Sequence, residues 1–236
     1  MEATERAFRE ACQRRTCARL AVGHAGPRLS TDAYLAFRAD HAMARDAVHS
    51  EVPDGFLKER GLPILKTRCS SREEYLLRPD LGREPDEDAK RFLRDEAVHG
   101  ADAGLFVSDG LSARALMANY DDLVPSIQTG LSVAGLTMGS LFFVRFGRVA
   151  VEDWVAELTG CTVSIVLIGE RPGLGGGESL SIYMAYRPTV GMEESRRTVI
   201  SNIHPNGTPA VEAGAQAADL VVKMLEQRCS GVELEL

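Results

Sequence analysis

Residues 164–181 read Ser-Ile-Val-Leu-Ile-Gly-Glu-Arg-Pro-Gly-Leu-Gly-Gly-Gly-Glu-Ser-Leu-Ser, and this stretch does most to narrow what the chain can fold into. The short run before Gly169 is too uniformly apolar for a half-exposed strand. It fits a strand buried on both faces. The strand ends at Gly169, and an acid, a base, a Pro-Gly turn and three more glycines follow. Glycine at that density lets a backbone come close to something bulky, or take left-handed angles. In an open α/β sheet, ligands sit just beyond the carboxyl ends of strands, where Glu170 and Arg171 fall. The loop reads as one that holds a ligand against a partner.

The rest of the chain supplies elements to cover such a strand. The first sixty residues are helical in pattern. One helix is expected over Thr4–Arg19, with Phe8 and Cys12 on its apolar side. A second runs from a Ser30 or Thr31 cap to about Val48. In it Tyr34, Phe37, His41, Ala44 and Val48 recur at helical spacing, and its alanines suggest close packing against a neighbour. Beyond Gly61 the expected order is a strand at Ile64–Thr67, a short helix after the capping box at Ser71, and a helix from Asp86 to His99 closed by Gly100. Strands at Leu105–Val107, Ser140–Phe146 and Thr162–Ile168 then alternate with helices at Ala113–Tyr120, Pro125–Ala134 and Val151–Leu158. Two more strands, Leu180–Tyr186 and Thr198–Ile203, precede a final helix that starts at Thr208-Pro209 and reaches about Gln227. The pattern predicts an α/β fold: a mostly parallel, Rossmann-like sheet with helices on both faces. A small helical domain over 1–60 is expected to precede an α/β domain over 61–236.

The formal net charge of −7 argues against general nucleic-acid binding, which needs a basic face. No run of 18 apolar residues points to a membrane span, and the first residues do not resemble a secretory signal. The five cysteines (12, 17, 69, 161 and 229) are scattered, without C-x-x-C. That distribution argues against a zinc site or disulfide framework and for a reduced, cytoplasmic setting.

Four loops leave predicted strand ends: Asp109-Gly110, Gly147-Arg148-Val149, Glu170–Ser179 and Ser201–Gly207. Their Asp, Arg, Glu, Asn and His side chains and free backbone amides suit a ligand rich in amides or phosphate. Each also has a plain structural reading. Asp109 beside Gly110 is the usual chemistry of a turn or a helix cap. His41, on an apolar helix face, reads as a packed, hydrogen-bonded histidine. The glycine run does not match G-x-G-x-x-G and leads into a strand, so no helix N-terminus awaits a pyrophosphate. His204 could act as a base, but no nucleophile elbow, H-E-x-x-H or Walker loop accompanies it. The inventory is that of a binding surface more than a catalytic machine.

Longer motifs carry a resemblance. Ile168-Gly-Glu-Arg-Pro-Gly-Leu-Gly175, Glu178-Ser-Leu-Ser181, Phe142-Phe-Val-Arg-Phe-Gly-Arg-Val149, Val107-Ser-Asp-Gly-Leu-Ser112 and Ile200-Ser-Asn-Ile-His204 stand in the order found in the ethanolamine ammonia-lyase small (light) subunit family. Gly23-His-Ala-Gly-Pro-Arg28 and Asp40-His41 extend the match, which runs from about Arg14 to Gly231.

The resemblance implies a subunit inactive alone, which helps hold adenosylcobalamin against a large TIM-barrel subunit carrying the reacting residues. The holoenzyme would convert ethanolamine to acetaldehyde and ammonia by a radical route, in the cytoplasm and within bacterial microcompartments. Carried over by motif, the cobalamin contacts are Val149, Glu170 and Val199, the last standing where family members have cysteine. Base-on cobalamin is implied, and the D-x-H-x-x-G of base-off enzymes does not occur. No catalytic or metal-ligating residue is assigned to this chain. Two other readings stay open: a non-catalytic α/β scaffolding module that recruits a partner enzyme, and a free-standing small-molecule enzyme built on Asp109, Glu170 and His204.

Overall fold

The computed structural model describes residues 2–16, 18 and 20–235. The chain opens with α1 (Glu2–Arg15), a short antiparallel pair β1 (His24–Ala25) and β2 (Arg28–Leu29), and α2 (Thr31–His49). Cys17 and Arg19, in and at the end of the expected first helix, lie outside the described residues. Ser30 caps α2 by accepting a hydrogen bond from Ala33 N at 3.4 Å. The inner face of α2 is the predicted one only in part, at Ala44 and Val48. Ala47 is buried and Ala33, Ala44 and Val48 are half-buried, whereas Tyr34, Phe37 and His41 are exposed. Close approach selects the small side chains: Ala47 Cβ lies only 3.0 Å from where a Cβ on Gly177 would stand. His41 is thus a surface residue, its ring 6.4 Å from that of Phe37.

The elements that follow are α3 (Asp54–Glu59), β3 (Ile64–Lys66), α4 (Arg72–Leu77), α5 (Glu87–Asp95), β4 (Ala103–Ser108), α6 (Ala113–Val133), β5 (Phe142–Arg145), α7 (Val151–Thr159), β6 (Val163–Gly169), β7 (Leu180–Tyr186), β8 (Thr198–Ile203) and α8 (Ala210–Gln227). Strands β3 to β8 form one six-stranded sheet in the order β3-β5-β4-β6-β7-β8. The ladders from β3 to β6 are parallel, and β7 runs antiparallel to both neighbours. The sheet is therefore mostly parallel with one reversed strand, and the glycine-rich loop is the turn of the β6–β7 hairpin.

Helices cover both faces. Strands β4 and β6 are buried at every position, yet their side chains still alternate between two cores. Leu105, Val107, Ile165 and Leu167 pack with α6 and α8. Phe106, Val166 and Ile168 pack with α5 and α7.

One expected break does not occur. Pro125 sits inside α6, a single helix where two were predicted. Pro in a helix interior costs about 3 kcal/mol. Leu116, Leu123, Ile127 and Leu131, on both sides of Pro125, are fully buried. At roughly 1.5–3 kcal/mol each, that continuous stripe outweighs the lost bond. Among the described residues, no helix is long and apolar enough to cross a membrane.

Candidate functional site

The carboxyl ends of β4, β5 and β6 lie side by side, and short-range sterics shape what surrounds them. Gly169 ends β6 because a Cβ there would strike the carbonyl oxygens of Ser112 and Asp109. Gly110, at φ +54°, closes equally tightly on Gly169. Leu111 N then donates to Gly169 O at 2.8 Å. The turn after β4 is thus laid directly on the end of β6, and Glu170 emerges beside it.

The crevice between β4 and β5, where the two chain crossovers leave for opposite faces, is the usual ligand position in such sheets. Here the chain's own side chains occupy it. Asp109 is fully buried, and its Oδ1 accepts from Phe146 N at 2.9 Å. Thr67 Oγ1 donates to Phe146 O at 3.0 Å. Phe146, at φ +59°, is thereby held at both of its peptide groups in a left-handed conformation that an isolated Phe disfavours. Arg72 lies 3.6 Å from the Asp109 carboxylate, and the guanidinium groups of Arg72 and Arg148 both lie over the Tyr75 ring, at 4.9 and 4.4 Å. Burial pushes the Asp109 carboxyl up to about 6, against the pull of Arg72. Asp109 is a structural acid. It is neither a free base nor the cap of α6, a role taken by Ser112.

Next to this plug lies an open depression of about 110 Å³, bordered by Tyr75, Leu111, Arg148, Val149, Glu170 and Tyr183. Two of the three residues singled out from the sequence, Val149 and Glu170, meet here, both half-buried. Val199 stands apart on β8, 43% exposed. Tyr183 connects it to the others. It pairs with Val199 across the β7–β8 ladder, and its hydroxyl donates to Glu170 Oε1 at 3.0 Å. Its phenol is pushed up to about 12, by burial first and then by Glu170, so the hydroxyl keeps its proton. A tyrosine within an apolar strand gave no signal in the sequence.

A buried ion cluster also escaped sequence reasoning. Arg197, two residues before Val199, donates to the Glu152 carboxylate, to Asp153 at 3.0 and 3.1 Å, and to Glu194 at 2.7 Å. Glu152 and Asp153 lie in the first turn of α7, just after Val149. The cluster therefore pins the element behind Val149 to the strand that carries Val199.

At its far end the glycine-rich loop is tied to α6 and its cap. Ser112 Oγ donates to Gly177 O, and Asn119 Nδ2 donates to Glu178 O at 2.9 Å. Gly173, Gly175 and Gly176 have no positive φ, and nothing within 4 Å of where a Cβ would stand. Neither left-handed backbone nor internal crowding demands glycine at these three positions. Their bare side faces outward.

His204 does not join the depression. Asn206 N donates to His204 Nδ1 at 3.2 Å, which leaves Nε2 to donate to Asn202 Oδ1 at 2.8 Å. The ring is spent on its own turn, so Asp109, Glu170 and His204 do not assemble into a reaction centre. A larger hollow of about 1010 Å³ lies beside the end of β3. Its charges are largely paired within the chain, as Arg145 is with Glu51 and Asp54 at 3.2 and 2.6 Å, and it contains none of the three predicted contacts.

Comparison with known proteins agrees with the motifs. The sequence model of the family described as "Ethanolamine ammonia-lyase light chain (EutC)" matches residues 7–235. A protein of Listeria monocytogenes named ethanolamine ammonia-lyase small subunit is 49% identical over 220 residues, which is 93% of this chain and 75% of that protein. Proteins of the same name from Clostridium tetani and Fusobacterium nucleatum are 48% and 46% identical over 224 residues, 95% of this chain and 76% of each relative. With a family match across nearly its whole length, the chain belongs to the ethanolamine ammonia-lyase small-subunit family.

Proposed function

We propose that this chain completes an adenosylcobalamin site at its interface with the large catalytic subunit of ethanolamine ammonia-lyase. The holoenzyme would convert ethanolamine to acetaldehyde and ammonia. The observation that carries the reading is the open depression that joins Val149 to Glu170. At about 110 Å³ it falls below the roughly 300–1,000 Å³ of a self-contained small-molecule pocket, as a wall completed by a second subunit should.

The residues fit the group. Glu170 offers a carboxylate whose Oε1 is held by Tyr183, so Oε2 can accept a hydrogen bond from an amide at the corrin edge. Val149 and Val199 present apolar surface on either side of that carboxylate, and a valine at position 199 preserves a van der Waals contact. The outward glycines 173, 175 and 176 let another body approach the loop backbone closely. Bound cobalamin would supply the radical by homolysis of its cobalt–carbon bond. This chain's part would be to bind, orient and shield it, with residues 61–236 forming the contacting domain and 1–60 a helical head.

The test is to assay ethanolamine deamination, with added adenosylcobalamin, for this chain alone, the large subunit alone and the pair. Activity from the pair only is expected. Activity from this chain alone overturns the reading, and full activity of the large subunit alone reduces this chain to a scaffold. In the assembled pair, Glu170→Ala should weaken cobalamin affinity about ten- to a hundredfold, the loss of a charge-assisted hydrogen bond.

A further inference from the structure

We propose that Tyr183 is the positioning residue for the Glu170 carboxylate, and that its hydroxyl sets the direction in which Glu170 meets a ligand. The inference rests on the cobalamin reading above and adds a residue that the motifs do not single out.

Glu170 is the first residue of the glycine-rich loop, and its backbone N–H donates to Ser179 O at 3.0 Å. A glutamate side chain in that place has three free torsions, and ordering it costs conformational entropy. Tyr183 removes that freedom before a ligand arrives. Its ring rests against the core beneath α5 and α7, as does Val149. Its backbone lies in the middle strand of three, paired with Val166 on β6 and Val199 on β8. A rigid strand thus holds the donor, and the 3.0 Å bond transfers that rigidity to the carboxylate. Two consequences follow. Oε1 already accepts one bond within the chain, so Oε2 is the oxygen with both lone pairs left for a ligand donor. The phenol, held protonated up to about 12, donates throughout the working pH range, so the acceptor does not turn away.

Tyr183→Phe keeps the ring and removes only the hydroxyl, so the fold should persist. The readout is cobalamin affinity of the assembled pair, followed by the change in cofactor absorbance on titration with adenosylcobalamin, in four backgrounds: native, Tyr183→Phe, Glu170→Ala and the double variant. Tyr183→Phe alone should weaken affinity roughly tenfold. In the Glu170→Ala background it should add less than about twofold, because it acts through the missing carboxylate. Unchanged affinity in the single variant overturns the inference, as does an equal loss in both backgrounds, which would make Tyr183 an independent contact. If Glu170→Ala itself leaves affinity unchanged, the cobalamin role of Glu170 fails along with the inference. A loss in Glu170→Ala without one in Tyr183→Phe refutes only the positioning role.

Discussion

Removing Arg197 should damage this protein more than removing any exposed ion pair. Its side chain is 2% exposed, and it is the shared counter-charge of Glu152 and Asp153, themselves 0% and 3% exposed. Glu194, the third partner, is 66% exposed and can return to water. Arg197→Met fills the space of the side chain but leaves the buried acids Glu152 and Asp153 without their cation. Breaking a buried pair in this way costs about 3–5 kcal/mol. At roughly 2–4 °C per kcal/mol for a chain of this size, the melting temperature should fall by about 6–20 °C. Circular dichroism on heating, together with urea titration, would measure it. A triple variant, Arg197→Met with Glu152→Leu and Asp153→Leu, removes the stranded charges as well and should recover most of the loss, since apolar replacement of a whole buried ionic group is often neutral or better. A single variant that melts within about a degree of the native chain refutes the reasoning. So does a triple variant no more stable than the single one.

The same cluster sets a pH dependence. Burial pushes Glu152 up to about 8, against the opposing pull of Arg197. With its folded value above the ordinary carboxylate value, the native state binds more protons than the unfolded one between them. Stability should therefore decline as pH rises through about 8. Glu152→Gln should flatten that decline in urea titrations run across the range; an unaltered slope would clear Glu152 of responsibility. In the glycine-rich loop, Gly175→Ala should leave the melting temperature of the isolated chain unchanged, because its Cβ enters open space, yet weaken assembly with the large subunit. Gly169→Ala, whose Cβ meets backbone oxygens, should lower stability by several kcal/mol. Equal melting of the two variants would contradict the steric account.

Much of this architecture is legible in the order of residues alone. Strands β7 and β8 fall on the residues their pattern predicts, Leu180–Tyr186 and Thr198–Ile203. The expected serine caps are made at Ser30 and Ser71. These features are local, encoded in periodicity and in side chains that satisfy backbone groups three residues away. Two misreadings are cases where distant packing overrules a local rule. Pro125 reads as a helix break, but the buried stripe of α6 runs through it. Tyr34, Phe37 and His41 read as part of the inner face of α2, but the close approach near Gly177 is made by the small Ala47.

The sequence by itself determined the layered α/β class, through strands apolar at nearly every position, and the family, through long motifs kept in order. It also brought Glu170 to a strand end beside a glycine-rich loop. Only the tertiary structure decided that Asp109 serves the fold, that His204 is spent on its own turn, and that Tyr183 links Glu170 to Val199. The physical reason is sequence separation. A cap or a periodic stripe is written within a few residues, whereas Tyr183 meets Glu170 across a hairpin and Arg197 meets Glu152 across 45 residues. Contacts of that kind depend on strand register and crossover, which exist only once the sheet has formed.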